Sequence, residues 1–381
     1  MKSNVPVEIL QNIFENYKDD IKTLHSILLV SRYWARVVVM ILWRYSLEFA
    51  RTFTSNCVSK KLLDVYRRYI NSEELLFDYP SFLKRLDWKY LKYEHDGKQI
   101  FQMLLQSSKY LSYLTIDLYN ENIGIYENFD IILNEEILHN SSLKKIKFLK
   151  ISDLIPENLE ILSKICDYIE TLIIECVRQN QKEISKLIQV QHNLKNLIIT
   201  SSFPSFDKSL LKSHPLSLTN IKFVNRNDNY TIHSLDILQA CTRLESLEFD
   251  KWDIYAGECQ EFSKIHFPNL KSLKFEYSVI PFTALKGIIK INGSNLKELR
   301  FIYENYERSE LELLSITIIQ SCKQLSSLTL QVYQDNTHKY RDFIVHLGVI
   351  LQRLKYFRFK DYIFESPINT DNVLNIVKRL I

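Results

Sequence analysis

Leu244-Glu-Ser-Leu247-Glu-Phe249 is the stretch that decides the fold of this chain, because its pattern returns at a constant interval. It is followed by Leu270-Lys-Ser-Leu273-Lys-Phe275 and Leu296-Lys-Glu-Leu299-Arg-Phe301, and each copy starts 26 residues after the one before it. In every copy two polar residues follow the first apolar residue, and a single spacer precedes the last one. Recurrence at a fixed period of this length predicts a stack of repeated units.

The pattern extends in both directions and gives eleven copies in all. The further copies start at Leu83, Leu111, Leu143, Ile169, Leu194, Leu218, Leu325 and Leu354. Between the copies, apolar residues follow helical spacing, as at Leu311, Leu314 and Ile318. A strand followed by a helix in each unit predicts a parallel sheet, with strands about 4.8 Å apart, that is covered by helices.

These segments resemble the leucine-rich repeats of F-box proteins over residues 76–366. The resemblance implies an α/β fold, a leucine-rich-repeat solenoid with a curved parallel sheet inside and helices outside. The standard unit has an asparagine three residues after the last apolar residue of the strand. That place holds Trp252, Ser278, Glu304 and Tyr333 here. An ordinary α/β domain with several such strands is the alternative, although its strands are not expected to keep this period.

Residues 5–44 read VPVEILQNIFENYKDDIKTLHSILLVSRYWARVVVMILWR and divide into three short amphipathic helices. Pro6 suits the first helical position, while Asp20 and Ser31 suit the caps of the second and third helices. Domains of under about 40 residues rarely bury enough surface to stand alone. This apolar segment is therefore expected to complete its core against another protein. The alternative is that it only caps the first repeat.

The same segment resembles an F-box, whose pattern opens with Leu-Pro-x-Glu, continues with an Ile-Phe pair, and closes with a Trp and then Leu-Trp-Arg. The matching residues are Pro6, Glu8, Ile13, Phe14, Trp34, Leu42, Trp43 and Arg44, whereas Val5 replaces the usual Leu and Ser31 a common Cys. The resemblance implies a Skp-family adaptor as partner and, through it, a cullin. It implies as adaptor-binding residues Val5, Pro6, Ile9, Leu10, Ile13, Phe14, Leu24, Leu28, Trp34, Leu42 and Trp43.

Four parts are thus predicted along the chain. They are an F-box module at 1–48, a helical linker at 49–75, about eleven degenerate leucine-rich repeats at 76–366 and a C-terminal capping helix at 367–381. In the linker, Leu62, Leu63, Tyr66 and Ile70 follow helical spacing. A helix there would join the module rigidly to the repeats.

The spacer of each copy lies between two inward apolar residues, so it is expected on the concave face of the sheet. This row reads Asp87, Thr115, Lys147, Ile173, Ile198, Lys222, Glu248, Lys274, Arg300, Thr329 and Arg358. Five of these residues are basic and two are acidic, which favours an acidic or phosphorylated segment of a protein substrate. The predicted substrate-binding residues are Lys147, Lys222, Glu248, Lys274, Arg300 and Arg358. A solvated face without preference is the alternative.

Composition and motifs argue against several other classes. The 49 basic and 45 acidic residues nearly cancel, so the surface requires neither nucleic acid nor a membrane as partner. No CxxC, HExxH, nucleotide-binding glycine loop or GxSxG occurs, so no metal, cofactor or catalytic residue is predicted. The most apolar run, 37–43, is shorter than the about 20 residues that span a bilayer. We expect a soluble protein of the cytoplasm, the nucleus or both.

The leading hypothesis from the sequence is a non-catalytic substrate receptor of an SCF-type, cullin-based ubiquitin ligase. A leucine-rich-repeat scaffold or inhibitor unconnected to ubiquitin is the first alternative. An F-box protein that acts with the adaptor alone is the second, and a free-standing enzyme with an unrecognised site is the third.

Overall fold

The chain forms two compact units, Met1–Ile169 and Glu170–Ile381. A computed structural model describes residues 5–48, 56–71, 77–117, 119–120, 125–126, 133, 143–152, 154–175, 181–201, 217–225, 235–252, 262–278, 280–303, 308–332, 343–359, 362–365 and 373. Both units contain helices and strands, and most of the described strands pair in parallel with their neighbours in chain order. The predicted α/β class is therefore confirmed.

The first unit begins with three helices, α1 (Val7–Glu15), α2 (Ile21–Leu28) and α3 (Arg32–Arg44). The Asp20 carboxylate accepts a hydrogen bond from the Thr23 N–H at 3.1 Å, and the Ser31 hydroxyl accepts one from the Trp34 N–H at 3.1 Å. Both side chains cap their helices as the sequence predicts. Pro6 lies one residue earlier than expected, in the N-cap position, because its backbone is still extended.

The three helices enclose a small apolar core. It consists of Leu10, Phe14, Leu24, Val37, Val38 and Ile41. The rings of Phe14 and Trp34 lie 5.2 Å apart at its edge. Helices α1 and α2 both pack on α3, which is the longest of the three and supplies half of these buried side chains.

The predicted linker helix is present as α4 (Asn56–Ile70). Leu63 and Tyr66 are buried, while Leu62 and Ile70 are partly exposed, so the apolar stripe faces the rest of the unit. This arrangement follows from the spacing of three and four residues, which places such side chains on one side of a helix.

The described residues in the rest of the first unit contain three parallel strands, a short hairpin and two helices. The elements are β1 (Arg85–Asp87), α5 (Gly97–Ser107), β2 (Tyr113–Asp117), a hairpin of β3 (Tyr119–Asn120) and β4 (Ile125–Tyr126), β5 (Phe148–Ser152) and α6 (Pro156–Ile165). Strand β2 pairs in parallel with β1 and with β5. Short 3-10 turns span Tyr79–Phe82, Trp88–Tyr90 and Leu143–Lys145.

The third copy of the repeat lies three residues later than the sequence predicts. Thr115 on β2 pairs with Lys150 on β5, so this copy starts at Ile146 and not at Leu143. Leu143 begins a 3-10 turn instead. Lys147, predicted in the substrate-binding row, therefore lies just before the strand and is exposed, and Lys150 takes its place in the row.

Two overlapping apolar patterns explain this correction. The expected pattern ends in Phe148, and the observed one continues with Leu149 and Ile151. Leu149 and Ile151 are buried, whereas Phe148 is only partly buried and stacks on Tyr113 with ring centroids 4.8 Å apart. Pairing with β2 selects the pattern that places two aliphatic side chains of the strand in the core.

The second unit consists mainly of parallel strands taken up in chain order. Its strands are β6 (Thr171–Glu175), β7 (Asn196–Ser201), β8 (Asn220–Asn225), β9 (Ser246–Asp250), β10 (Ser272–Glu276), β11 (Glu298–Tyr303), β12 (Ser327–Val332), β13 (Tyr356–Phe359) and β14 (Tyr362–Glu365). Its helices are α7 (Gln181–Gln189), α8 (Phe282–Asn292), α9 (Arg308–Ser321) and α10 (Gly348–Leu351). Each of β6 to β12 pairs in parallel with the next strand, and β14 is antiparallel to β13.

The repeated apolar residues stack into ladders on the buried face of this sheet. Leu247 pairs in register with Leu273, which pairs with Leu299. The Phe249 ring stacks on Phe223 and on Phe275 at 5.4 and 5.3 Å between centroids. Identical side chains meet because equal spacing along the chain becomes equal position in adjacent strands.

At one of the places where the standard repeat has an asparagine, a serine side chain bonds the backbone of neighbouring units. The Trp252 N–H donates to the Ser278 hydroxyl at 2.9 Å, and that hydroxyl donates to the Glu276 carbonyl at 2.8 Å. Trp252 and Ser278 are both fully buried, so this bridge satisfies backbone groups between neighbouring units. The equivalent residues 304 and 333 lie outside the described part of the chain.

Two other predicted helices have different outcomes. Between the copies at Leu218 and Leu244, where the spacing of apolar residues predicts a helix, the described residues form a 3-10 turn at Asp236–Ala240, with Leu238 inside it and Leu235 just before it. The predicted capping helix at 367–381 lies outside the described residues, except for Val373, which is buried.

Candidate functional site

Helix α1 and the residues beside it carry an apolar row that the chain leaves exposed. Val5, Ile9, Ile13 and Tyr17 are 43, 49, 45 and 43% exposed. They follow one another at intervals of four residues, so Ile9 and Ile13 lie on one side of α1, while Val5 precedes the helix and Tyr17 follows it. We call these four residues the apolar row. None of the described residues packs over these four side chains closely enough to bury them.

The turn between α2 and α3 exposes two further apolar side chains. Leu29 is 77% exposed and Val30 is 60% exposed. Leu29, Val30 and Tyr17 are not among the adaptor-binding residues predicted from the sequence. The available signal is the run from Ile27 to Val30, which has more consecutive apolar residues than one side of a short helix can bury.

The structure divides the predicted adaptor-binding residues into three groups. Val5, Pro6, Ile9 and Ile13 are exposed and available to a partner. Leu10, Phe14 and Leu24 are buried in the core of the helical module, while Leu28, Trp34, Leu42 and Trp43 are partly buried. The buried residues are not available to contact a partner, but they hold α1 in place. A helix presents a stable outer face only when its inner face is packed.

Trp43 contacts the linker helix and the turn before β1. Its ring centroid lies 4.3 Å from that of Tyr79 and 5.7 Å from that of Tyr66. The Tyr66 and Ser46 hydroxyls are hydrogen-bonded at 2.8 Å, and burial raises the pKa of the Tyr66 phenol. Trp43, Ser46, Tyr66 and Tyr79 form a contact that we call the joint. It shows that this side of the module packs within its own unit, as the capping alternative expected.

Ion pairs and backbone hydrogen bonds reinforce the joint. Arg44 pairs with Glu15, and burial lowers the pKa of its guanidinium. The Lys84 N–H donates to the Arg44 carbonyl at 3.0 Å. Arg85 at the start of β1 pairs with Glu48 at 3.1 Å. The helical module is therefore held directly onto the first strand.

Arg67 locks the linker helix to the loop before α5. Its guanidinium lies 2.7 Å from Asp96, 3.2 Å from Glu94 and 3.0 Å from Asp64. The hydrogen bond from Arg67 lowers the pKa of the Asp96 carboxyl. Together with the joint, this cluster fixes the module, the linker helix and the first strand as one body within the first unit.

The spacer row of the second unit is aligned as expected. Lys222 pairs in register with Glu248, Glu248 with Lys274, and Lys274 with Arg300. Ile173 and Ile198 precede them, and Thr329 and Arg358 follow, again in register. These side chains lie on the face of the sheet opposite the buried ladders, which we call the open face. They are partly exposed, apart from Thr329, which is buried.

The cations at the centre of this row are already paired with carboxylates from neighbouring strands. Lys222 lies 2.5 Å from Glu248 and 3.5 Å from Asp250. Burial by itself would lower the pKa of Lys222, but the hydrogen bond and charge of Glu248, together with Asp250, outweigh it and raise the pKa.

The neighbouring strands continue this pattern. Lys274 lies 2.9 Å from Glu298, and Arg300 pairs with Glu276. The surplus of basic residues seen along the row is therefore offset by acidic residues on either side of it.

Metal ligands and thiols are the remaining groups with potential chemistry in the described residues. Within them no group of three or more His, Cys, Asp or Glu side chains could hold a metal ion. Cys166, Cys241 and Cys322 are buried free thiols whose pKa burial raises to about 12, so they stay protonated at neutral pH. None of the helices in the described ranges has the length and apolar character required to cross a membrane.

This geometry defines a two-part class of protein, in which a helical module with an exposed apolar row precedes an array of strand-containing repeats. Residues 3–47 match the F-box-like family and form an F-box-like domain. No protein of curated function matches the sequence. Among solved structures, the chain is similar to one in the crystal structure of the Rad7 and Elc1 complex in yeast, with 12% identity, 88% of this chain and 96% of that chain covered, and a TM-score of 0.25. A likeness at that score does not bear on the site.

Proposed function

We propose that this chain is the substrate-recognition subunit of an SCF-type, cullin-based ubiquitin ligase. In this proposal the F-box docks on a Skp-family adaptor and through it on a cullin, and the repeats are leucine-rich repeats that bind a protein substrate. The chain recruits and positions its substrate, and the transfer of ubiquitin is carried out by other subunits. Its location is the cytoplasm, the nucleus or both, which is consistent with the three buried free thiols.

The apolar row on α1 is the observation that carries the proposal. Ile9 and Ile13 are about half exposed, and both belong to the segment that matches the F-box-like family. Complete burial of such a side chain contributes about 1.5–3 kcal/mol, so several of them supply much of the free energy of a stable complex. Contiguous exposed apolar residues on a soluble protein mark a surface that a partner covers.

The joint supports the positioning function. Trp43 and Tyr79 pack together, and Arg85 at the start of β1 pairs with Glu48, so the F-box-like domain is fixed to the first strand. A receptor that must hold a substrate at a set distance from a ubiquitin-charged enzyme requires such a rigid connection. A flexible tether would allow the two ends to vary in separation with the square root of its length.

The repeats are supported as leucine-rich repeats by their period and by the ladders of apolar side chains. In-register pairs such as Leu247 with Leu273 follow from a repeat that contributes one strand at a time. The absent asparagine is the departure from that family, and the Ser278 bridge between two units substitutes for it at one place.

Co-expression of the full chain with a Skp-family adaptor tests the proposal. We expect the two proteins to co-purify, and we expect Ile9→Asp with Ile13→Asp to weaken the complex by roughly a hundredfold, because two charges would enter an apolar contact. Asn12→Asp is the matched control, since Asn12 is exposed on the same helix and outside the apolar row. Absence of the complex, or equal loss in both variants, would contradict the docking proposal.

Two further results separate the alternatives. Recovery of a cullin with the purified pair supports a ligase subunit, whereas a pair that never recovers a cullin supports an F-box protein that acts with the adaptor alone. Failure of any Skp-family adaptor to bind the wild-type chain, with the repeats folded, would leave the scaffold or inhibitor function as the better explanation.

A further inference from the structure

Tyr33 on α3 reaches across the helical module to the first residue of the apolar row. Its hydroxyl donates a hydrogen bond to the Val5 carbonyl at 2.8 Å, between residues 28 positions apart in the chain. Its ring is partly buried and packs against the apolar core of the module. The core therefore holds the ring, and the hydroxyl in turn holds the backbone at Val5.

Val5 lies just outside the hydrogen bonds that order α1. The Pro6 carbonyl, one residue later, accepts from the Ile9 and Leu10 N–H groups at 3.1 Å each, and the helix itself begins at Val7. Residues beside a helix end fray unless a further contact ties them down. The hydrogen bond from Tyr33 supplies such a contact for Val5.

The position of the Val5 backbone affects how this residue meets a partner. The Val5 side chain is 43% exposed and belongs to the apolar row. It stands where the F-box pattern usually has the longer leucine, so its contact depends more closely on where the backbone places it. A segment that is ordered before docking also loses less conformational entropy on binding.

The Val5 carbonyl gives the same hydrogen bond a second effect. In the free chain the bond lies at an exposed position, where water can replace the hydroxyl at little cost. A partner that covers the apolar row removes that water, and a buried carbonyl without a donor is costly. The Tyr33 hydroxyl therefore contributes more to the complex than to the free chain.

We infer that Tyr33 is a positioning residue for adaptor docking, which places Val5 for the adaptor and satisfies the Val5 carbonyl beneath it. This inference rests on the proposed function, because it deepens the assignment of the apolar row to a Skp-family adaptor. Tyr33 is not among the adaptor-binding residues predicted from the sequence, since no local pattern connects it with Val5. It acts through Val5, while its ring stays on the core of the module.

The dissociation constant of the full chain for a purified Skp-family adaptor, measured by isothermal titration calorimetry, tests this inference. Tyr33→Phe keeps the ring and removes the hydroxyl. We expect it to weaken adaptor binding roughly tenfold, because the Val5 carbonyl would be buried without a donor. Its thermal midpoint is expected to equal that of the wild type, because water replaces the hydroxyl in the free chain.

Tyr69→Phe is the matched control. The Tyr69 hydroxyl also donates at an exposed position, to the Asp78 carboxylate at 3.3 Å, but Tyr69 belongs to the linker helix α4 and not to the helical module. Removal of this hydroxyl is expected to leave adaptor binding unchanged.

Val5→Gly provides a second comparison. Glycine removes the side chain that Tyr33 positions, so this segment is no longer held on the adaptor. The loss of affinity caused by Tyr33→Phe should therefore be roughly threefold smaller in the Val5→Gly chain than in the wild-type chain.

The inference is overturned if Tyr33→Phe binds the adaptor as tightly as the wild type, if Tyr69→Phe weakens binding equally, or if Val5→Gly leaves the effect of Tyr33→Phe unchanged. A thermal midpoint that falls by several degrees in Tyr33→Phe would also overturn it, since the hydroxyl would then stabilise the module itself. A wild-type chain that does not bind the adaptor contradicts the docking proposal as a whole. Wild-type binding that Tyr33→Phe leaves intact overturns this inference alone.

Discussion

The indole of Trp43 packs against the phenol ring of Tyr79 with centroids 4.3 Å apart and ring planes inclined by 33°. This contact connects the last turn of α3 with the 3-10 turn that leads into β1. A residue that the F-box pattern places in the adaptor-binding set thus belongs to the joint with the repeats. The F-box-like domain has one side packed within its own unit and another side, the apolar row, exposed.

Removal of the Trp43 ring is expected to destabilise the first unit. Trp43→Ala should lower the free energy of unfolding by about 2–3 kcal/mol, because the change deletes a partly buried ring and leaves a cavity between two tyrosines. Urea unfolding followed by circular dichroism measures the change. Tyr17→Ala, which removes an exposed ring of the apolar row, is the control and should change it by less than about 0.5 kcal/mol. If Trp43→Ala lowered the free energy of unfolding by no more than Tyr17→Ala does, the joint would contribute no more stability than an exposed ring.

The Arg67 cluster predicts a pH-dependent contribution to stability. The hydrogen bond from Arg67 places the pKa of Asp96 below its ordinary value of 3.8 in the folded chain. The carboxylate therefore stabilises the fold above about pH 3.8, and this stabilisation is lost as the pH falls through the lower, folded-state pKa. Asp96→Asn should cost about 1 kcal/mol at neutral pH, and the difference from wild type should shrink in acid.

Unfolding of wild type and Asp96→Asn at several pH values measures this difference. Asp64→Asn is a suitable control, because Asp64 pairs with the same arginine but is 57% exposed. Its effect should be smaller at every pH. A difference that is constant from neutral pH down to acid would mean that ionisation of Asp96 is not the cause.

The buried cysteines should resist alkylation in the folded chain. Burial raises the pKa of Cys166, Cys241 and Cys322 to about 12, so little thiolate forms and little reagent reaches them. In a variant with serine at the other three cysteines, a maleimide should label none of them near neutral pH, and it should label all three after denaturation in guanidinium chloride. Mass spectrometry counts the adducts, and rapid labelling of the native chain would contradict the described burial.

Asn292 is expected to be a buried clamp between neighbouring repeats. Its side chain accepts a hydrogen bond from the Phe267 N–H at 2.6 Å and donates to the Ile265 carbonyl at 2.9 Å. Asn292→Ala should cost about 2–4 kcal/mol, because both backbone groups would remain buried without a partner.

Asn295→Ala provides the comparison for this prediction. The Asn295 amide donates to the Pro268 carbonyl at 2.6 Å, but at an exposed position where water can replace it. Its loss should cost less than about 1 kcal/mol. Thermal or urea unfolding of both variants measures the two values, and an equal cost would show that burial of the hydrogen bonds is not what matters.

Many features of the fold were predictable because they depend on local patterns. Asp20 and Ser31 cap their helices in the structure as they do in the prediction, since a cap needs only a side chain and the backbone three residues later. The parallel strands follow from the period, because equal spacing in the chain becomes register between strands. The exception at β5 arose where two apolar patterns overlap, and only pairing of Thr115 with Lys150 distinguishes them.

The candidate sites were less predictable. The prediction included Ile9 and Ile13 but also Leu10 and Phe14, which are in the core of the helical module, and it omitted Leu29 and Val30. An apolar residue reads the same in a sequence whether it faces the core or a partner. Likewise, the row through Lys222 and Arg300 appears basic until the acidic residues of adjacent strands are placed beside it.

The sequence alone determined that this chain is an array of strand-containing repeats behind a helical, F-box-like segment, because apolar periodicity records which residues are buried and how often the unit recurs. The tertiary structure decided which apolar side chains remain exposed on α1, that Trp43 meets Tyr79, and that each central cation of the open face has a carboxylate beside it. These are contacts between residues that are far apart in the chain, and their partners depend on how strands and helices pack.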